Sequence, residues 1–216
     1  LRHVSHSGEW QVLQGSTVLA QSSRVVIACG PVSAALVASA TRDGSAPPIR
    51  PLRGQVSWGL HADTPQASLP TTPVNGHGSF VHHVPTDEGP AWFAGATYDR
   101  LNDQPEVLAT DHAENLTRLA ALLPDTAQAL APAFASSVRG WAGVRCSVSD
   151  RFPMLGPVAQ APEGLWLNTA MGSRGLTLGL LCGEILAAQW HGEPLPVEAR
   201  LAKALDATRF AAKLHP

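Results

Sequence analysis

Cysteine, tyrosine and charge are all scarce in this chain of 216 residues, and each scarcity narrows what the protein can be. The three cysteines, Cys29, Cys146 and Cys182, are odd in number, far apart and set in apolar runs. That excludes a disulfide framework or a cysteine zinc site and reads as buried, reduced thiols. Charged residues make up only 15% of the chain against 44% hydrophobic, a balance that argues against disorder. There is no basic excess: 15 basic and 17 acidic residues leave a net charge of −2. The electrostatic footprint of a nucleic-acid binder is therefore missing, and an RNA substrate needs a local patch or further sequence to hold it. No apolar run reaches the roughly 20 residues of a membrane span. The longest, Leu176 to Trp190, is interrupted by Gly179, Gly183 and Glu184. The polar opening from Arg2 to Glu9 is unlike a signal peptide. The expectation is a soluble, cytoplasmic protein with no membrane partner and no metal. Internal repeats and low-complexity tracts are absent as well.

What is there reads as alternating layers. Glu9 to Gln14 alternates polar and apolar residues, Gly15-Ser16 turns the chain, and Thr17 to Gln21 alternates again, which predicts a hairpin. A chain that opens inside a hairpin is expected to be a fragment. Arg24 to Gly30 is a continuous apolar run closed by glycine, the pattern of a central strand buried on both faces. Pro31 then stands at a plausible first helical position. A polar, proline-rich stretch from Thr41 to Pro51 marks a crossing between layers. Strands are expected at Leu52–Trp58, Phe80–Val84, Ala91–Thr97, Phe134–Val148 and Leu165–Ala170. Helices are expected at Val107–Leu123, stopped by Pro124, at Gly175–Gln189, and at Val197–Leu205.

Two segments carry the chemistry. Gly172-Ser173-Arg174-Gly175-Leu176-Thr177 follows a strand and opens a helix, so backbone N–H groups face outward at the positive end of the helix dipole. Such an end suits an anion, or an oxygen gathering negative charge as a flavin is reduced. A plain turn with a surface arginine fits the same hexapeptide. The second segment is Trp141 to Gly156, in which Arg145 lies in an otherwise apolar strand. Its planar fork can hold a substrate carboxylate through two parallel hydrogen bonds. A structural ion pair with an internal acid fits it equally.

Taken in order, these segments resemble the amino-acid-oxidase-like flavoproteins, the family of D-amino-acid and glycine oxidases. Val25 to Gly30 resembles the strand before the chain leaves the flavin domain. Leu52-Arg53-Gly54-Gln55 resembles the strand entering the substrate sheet, and Phe93-Ala94-Gly95-Ala96-Thr97 a later strand of it. The resemblance covers nearly all of the chain. It implies an α/β fold with mixed α+β character, in which a partial FAD-binding layer (1–46 and 148–216) adjoins an antiparallel substrate sheet (47–147). It implies FAD as cofactor, contacted by Gly30, Gly172, Ser173, Arg174, Gly175, Leu176 and Thr177. Arg145 would hold the substrate's carboxylate, and Arg53 and His82 are the further expected substrate contacts.

Within the family, Arg53–Ser57, Asp150–Gly156 and Gly172–Leu176 look most like the oxidase half of bifunctional tRNA-modifying enzymes. That resemblance implies removal of the carboxymethyl group, as glyoxylate, from a modified wobble uridine, with tRNA as partner and a methyltransferase domain in the same polypeptide. One departure stands out: the family's G-x-G-x-x-G turn, which seats the pyrophosphate of FAD, is absent from this sequence. The chain alone is therefore expected to bind FAD poorly. An oxidase of a free small amino acid, or a non-catalytic module keeping the fold, are the alternatives. His77, His82 and His83 fall near the substrate-facing strand. His82 and His83, adjacent on that strand, are expected on opposite faces and so unable to share a metal. Tyr98 and Trp92 could stack on a base, with core packing the better reading for Trp92. Asp150 and Glu184 show no paired-carboxylate spacing.

Overall fold

The computed structural model describes residues 1–64, 69–100 and 102–213. In chain order its strands are β1 (Arg2–Val4), β2 (Glu9–Gln14), β3 (Thr17–Ser22), β4 (Val25–Ile27), β5 (Arg50–Leu60), β6 (Val74–Gly76), β7 (Gly78–Thr86), β8 (Gly89–Gly95), β9 (Asp99–Arg100), β10 (Arg139–Ser147), β11 (Met154–Pro157) and β12 (Leu165–Thr169). The helices are α1 (Ser33–Ala40), α2 (Ala109–Leu122), α3 (Pro124–Ser136), α4 (Gly175–His191) and α5 (Ala199–Leu205). The chain divides into two units, Leu1–Pro51 with Arg145–Pro216, and Leu52–Val144. Among the described residues no helix is long and apolar enough to cross a membrane.

In the first unit the predicted hairpin forms as β2 and β3, with β1 added on the outer edge of β2. Trp10, 1% exposed, anchors it and donates through Nε1 to the carbonyl of Glu163 at 2.8 Å. A second sheet has the order β11-β12-β4, with β12 antiparallel to β11 and parallel to β4. The centre of this sheet is thus β12. The run at Val25–Ile27, expected to be central, is an edge strand here and stops three residues short of Gly30. Alternation along the strands sorts side chains into two cores. Ile27, Met154, Leu165 and Leu167 join Trp10 on one face, while Val26, Leu155 and Trp166 meet Cys182, Ile185 and Leu186 of α4 on the other. Each fully buried aliphatic side chain contributes roughly 1.5–3 kcal/mol. Gly164 delivers the chain into β12 at φ +91°, and a Cβ there would lie 2.2 Å from the carbonyl oxygen of Ser23.

The second unit is an antiparallel sheet of order β10-β5-β8-β7-β6, with β9 also paired to β5. Phe80, Trp92 and Ala94 are buried against Leu119, Ala127, Leu130 and Ala133 of α2 and α3. The helix α3 corrects the sequence reading. Pro124 was expected to stop a helix, and it does end α2, but it is also the first residue of the next one, where its missing N–H costs nothing. Phe134 accordingly lies in α3, and β10 begins at Arg139.

Candidate functional site

Because β4 and β12 run parallel, their carboxyl ends lie side by side, the edge of an α/β sheet where ligands are ordinarily received. Each strand leaves through left-handed backbone: Gly30 at φ +60° after β4, Ala170 at +63° and Gly172 at +59° after β12. Thr169, 4% exposed, ties these ends together. Its hydroxyl donates to the carbonyl of Gly30 at 3.5 Å and accepts from the hydroxyl of Ser33 at 3.4 Å. The Ser33 oxygen in turn accepts the backbone N–H of Cys29 at 3.1 Å. The thiol of Cys146 stands 3.4 Å from the same Thr169 oxygen, which links β10 to the cluster. Three segments singled out in the sequence thus meet around one hydroxyl. Cys146 faces that cluster, so Arg145, one residue earlier on β10, projects from the opposite side of the strand. Arg145 is half-buried. The cysteines divide: Cys146 and Cys182 are buried as expected, whereas Cys29, at the mouth of the β4 turn, is exposed.

Beyond Ala170 the chain makes one 3-10 turn, Gly172–Arg174, and enters α4 at Gly175. Neither start carries a side-chain cap, so the amides that open the helix are left for another acceptor. Arg174 donates through Nη2 to the carbonyl of Arg151 at 2.5 Å, which fastens the turn to the loop after β10. Arg209 holds the same loop, with bonds to the Asp150 carboxylate at 2.9 and 3.1 Å and to the Phe152 carbonyl at 3.0 Å. The outer face of α4 is apolar and open. Leu176 is 100% exposed and Leu180 82%, four residues apart on one face. A Cβ added at Gly172, Gly175, Gly179 or Gly183 would meet nothing within 4 Å. Ser173 and Thr177 are exposed beside them. An uncapped helix end bordered by exposed leucines can take a flat, largely apolar ring that carries a hydrogen-bond acceptor at one edge.

The remaining expected site residues lie in the second unit. Arg53 is 1% exposed, and both terminal nitrogens of its guanidinium bond the chain's own acceptors, while its buried Nε has no hydrogen-bond partner among the described residues. Nη1 meets the Asp111 carboxylate at 2.6 Å, while Nη2 donates to Gln55 Oε1 at 3.1 Å and to the carbonyl of Glu106. Gln55 completes this knot by exchanging bonds with the backbone of Leu108 at 2.7 and 2.9 Å. Beside it, Ser57 Oγ lies 2.8 Å from His112 Nδ1, and burial lowers the pKa of His112, with Asp111 pulling the other way. Trp92 is fully buried and stacks on Phe134 at 5.5 Å, so it belongs to the core, whereas Tyr98 is 48% exposed.

His82 and His83 overturn the expectation that they point apart. The ladder between β7 and β8 shifts register between Val81 and Val84, and His83 takes a left-handed φ of 60°. The bulge turns both rings together, with His83 Nδ1 3.2 Å from His82 Nε2. His61, which sequence reasoning passed over, joins them: its ring centroid lies 4.4 Å from that of His82 and 4.8 Å from that of His83. A period-two reading of β7 hides this cluster, because an inserted residue leaves no mark in the alternation.

A family model described as FAD dependent oxidoreductase matches residues 1–189. The tRNA 5-methylaminomethyl-2-thiouridine biosynthesis bifunctional protein MnmC of Polaromonas naphthalenivorans (strain CJ2) is 45% identical over 99% of the chain, and its counterpart in Paracidovorax citrulli (strain AAC00-1) is 48% identical over 94%. The chain spans about a third of these relatives, 34% and 32% of their lengths. Among solved structures, glycine oxidase from Geobacillus kaustophilus superposes with a TM-score of 0.64 at 25% identity, over 87% of this chain and 45% of that one. Iminodiacetate oxidase from Chelativorans sp. BNC1 shares the fold with a TM-score of 0.62 at 22% identity, over 86% and 47%. With the family model covering all but its last residues, this chain belongs to the FAD-dependent oxidoreductases.

Proposed function

We propose that the chain is the C-terminal oxidase part of a bifunctional tRNA-modifying protein. In this reading it removes the carboxymethyl group, as glyoxylate, from carboxymethylaminomethyl-uridine at the tRNA wobble position. The observation that carries this is the 45–48% identity, over nearly the whole chain, to relatives named for tRNA 5-methylaminomethyl-2-thiouridine biosynthesis. Glycine oxidase, by contrast, stands at 25%. The same reading includes a methyltransferase domain in the same polypeptide and a cytoplasmic location, supported by the relatives' description as bifunctional tRNA biosynthesis proteins.

The residues present fit the flavin. Gly172 holds a left-handed turn that a Cβ would strain, the amides opening α4 lack a side-chain cap, and the face beyond them is open and apolar. Gly30, Gly172, Ser173, Arg174, Gly175, Leu176 and Thr177 are the residues assigned to hold it. When bound, FAD would accept the hydride from the substrate's methylene carbon, and water would then release glyoxylate and leave the aminomethyl group on the uridine. Arg145 holds the substrate carboxylate as a two-pronged donor and so fixes the carbon that is oxidised. The uncapped N-terminus of α4 stabilises negative charge that gathers at its partner. The Thr169 hydroxyl cluster keeps the β4 turn, β10 and the β12 turn in register beneath the site.

The test offers the FAD-loaded protein tRNA that carries the carboxymethylaminomethyl group and measures glyoxylate and the mass of the wobble nucleoside. Glyoxylate in step with loss of the carboxymethyl mass is the expected result. Glyoxylate from glycine or sarcosine, with none from the tRNA, would make the protein an oxidase of free small amino acids. A full-length parent protein that takes up no FAD and turns over neither substrate would be a non-catalytic module.

A further inference from the structure

We propose that His61, His82 and His83 form a site for a divalent transition-metal ion, zinc first among them, with its remaining coordination position open to water. The inference is independent of the flavin chemistry. It rests on how β8 templates the two strands beside it. Leu60 of β5 and Val84 of β7 both pair with Ala91 of β8, one from each side. Both strands run antiparallel to β8 and so parallel to each other. His61 follows Leu60 into the turn after β5, His83 precedes Val84, and it is the bulge of β7 that turns the His83 ring toward His61. The ring centroids of His82 and His83 lie 4.4 and 4.8 Å from that of His61. The β7 bulge adds His82 to the same spot.

The geometry suits a metal. The three rings each offer one nitrogen, and these atoms all lie within 4.8 Å of one another. Two ligand nitrogens on a tetrahedral zinc, each at about 2.0–2.1 Å, stand about 3.3–3.4 Å apart. His82 Nε2 and His83 Nδ1 are already at 3.2 Å. His61 Nε2 accepts the backbone N–H of His83 at 3.4 Å, a long bond whose lone pair an ion would take over. Metal binding needs neutral imidazoles. Here burial and the neighbouring rings lower the pKa values of His61 and His82. His61 and His82 are half-buried and His83 exposed, so the ion would sit at the surface with an open side. Imidazole donors select zinc, copper and nickel over magnesium and calcium. A second sign is the backbone: His83 adopts a left-handed conformation uncommon outside glycine. Such strain is retained where it aims a side chain. An ion there would tie the turn after β5 (His61–Asp63) to the bulge of β7.

The experiment titrates the purified, untagged and chelator-treated chain with Zn2+ by calorimetry and with Co2+ by visible absorption. The expected result is one tight equivalent with the intense bands of low-coordinate cobalt. His61→Gln and His83→Asn, each keeping a polar side chain and the latter suited to left-handed backbone, should each weaken that equivalent by at least about tenfold, since even outer-shell partners of a metal are worth that much. Far-ultraviolet circular dichroism and thermal midpoints of the metal-free variants show whether they remain folded. His6→Gln serves as a control and should bind like the parent. Zn2+ binding that survives in both folded variants, or that falls equally in the control, would overturn the proposal. So would a parent chain that binds no Zn2+ in the micromolar range.

Discussion

At the scale of the residue, the two arginines that the sequence offered as substrate contacts have different surroundings, and mutation should separate them. Arg145 projects from β10 on the side away from Cys146. Arg145→Ala in the FAD-loaded protein should weaken substrate binding by roughly 2–5 kcal/mol, the loss associated with a truncated charge pair, while flavin content stays unchanged. Steady-state KM together with flavin absorbance measures both, and an unchanged KM would remove Arg145 from the site. Arg53 is instead locked to Asp111, whose side chain is 10% exposed against 1% for its own. Asp111→Ala leaves a buried guanidinium with only neutral partners. It should lower stability in urea by about 3–5 kcal/mol. His112 adds a pH dependence of known sign. Its pKa is lowered on folding, so between the folded value and the ordinary 6.5 the unfolded chain binds more protons. The stability it contributes is therefore complete above about pH 6.5 and is lost as pH falls through that value. The thermal midpoint should drop between about pH 7.5 and 5.5, and His112→Asn should flatten part of that drop; an equal drop in the variant would clear His112 of the effect.

At the scale of the element, α4 is the piece whose role is easiest to isolate. Gly175 is helical at φ −58°, and an added Cβ meets no atom of the chain within 4 Å. Gly175→Val should therefore leave stability nearly unchanged, because valine's helix propensity is slightly better than glycine's. The side chain would enter the space assigned to the flavin, so FAD occupancy should fall severalfold. Full occupancy in the variant would detach the helix end from the cofactor. Elements of this kind were legible in the sequence because strand, glycine turn and apolar helix follow one another without interruption from Leu165 to His191. The hairpin at Glu9–Ser22 was legible for the same reason, an uninterrupted period of two around Gly15. The failures are equally specific. Helix α3 was hidden because a proline reads as a stop whether it ends one helix or starts the next. The β7 bulge was hidden because alternation is blind to an extra residue. The Thr169 cluster was hidden because its partners, Ser33 and Cys146, lie 136 and 23 residues away in sequence and each adds only a single polar atom.

At the scale of the whole molecule, charge and kinship pull in different directions. The chain carries a net charge of −2, yet its relatives act in tRNA modification by name. Affinity for a polyanion grows with the number of phosphates neutralised, and each such contact steepens the fall of log K with log salt by about 0.7–0.9. The 15 basic residues are outnumbered by 17 acidic ones, and Arg53, Arg118, Arg139 and Arg209 are paired to carboxylates, which reduces what those four can offer a phosphate. The family order of motifs was readable from composition-independent signals, glycine turns and one arginine in an apolar strand. The means of holding tRNA was not, because no cluster of Lys and Arg announces it. The prediction is that this chain binds tRNA weakly, with a salt slope equivalent to fewer than about two phosphate contacts. Fluorescence anisotropy of labelled tRNA across a salt series measures the slope. A steep slope would reveal a basic patch assembled by the fold from dispersed arginines, and this chain would then supply its own grip on the RNA. A shallow slope would, on the proposed function, place that grip outside this chain and leave the chain to recognise the carboxymethylamino group alone.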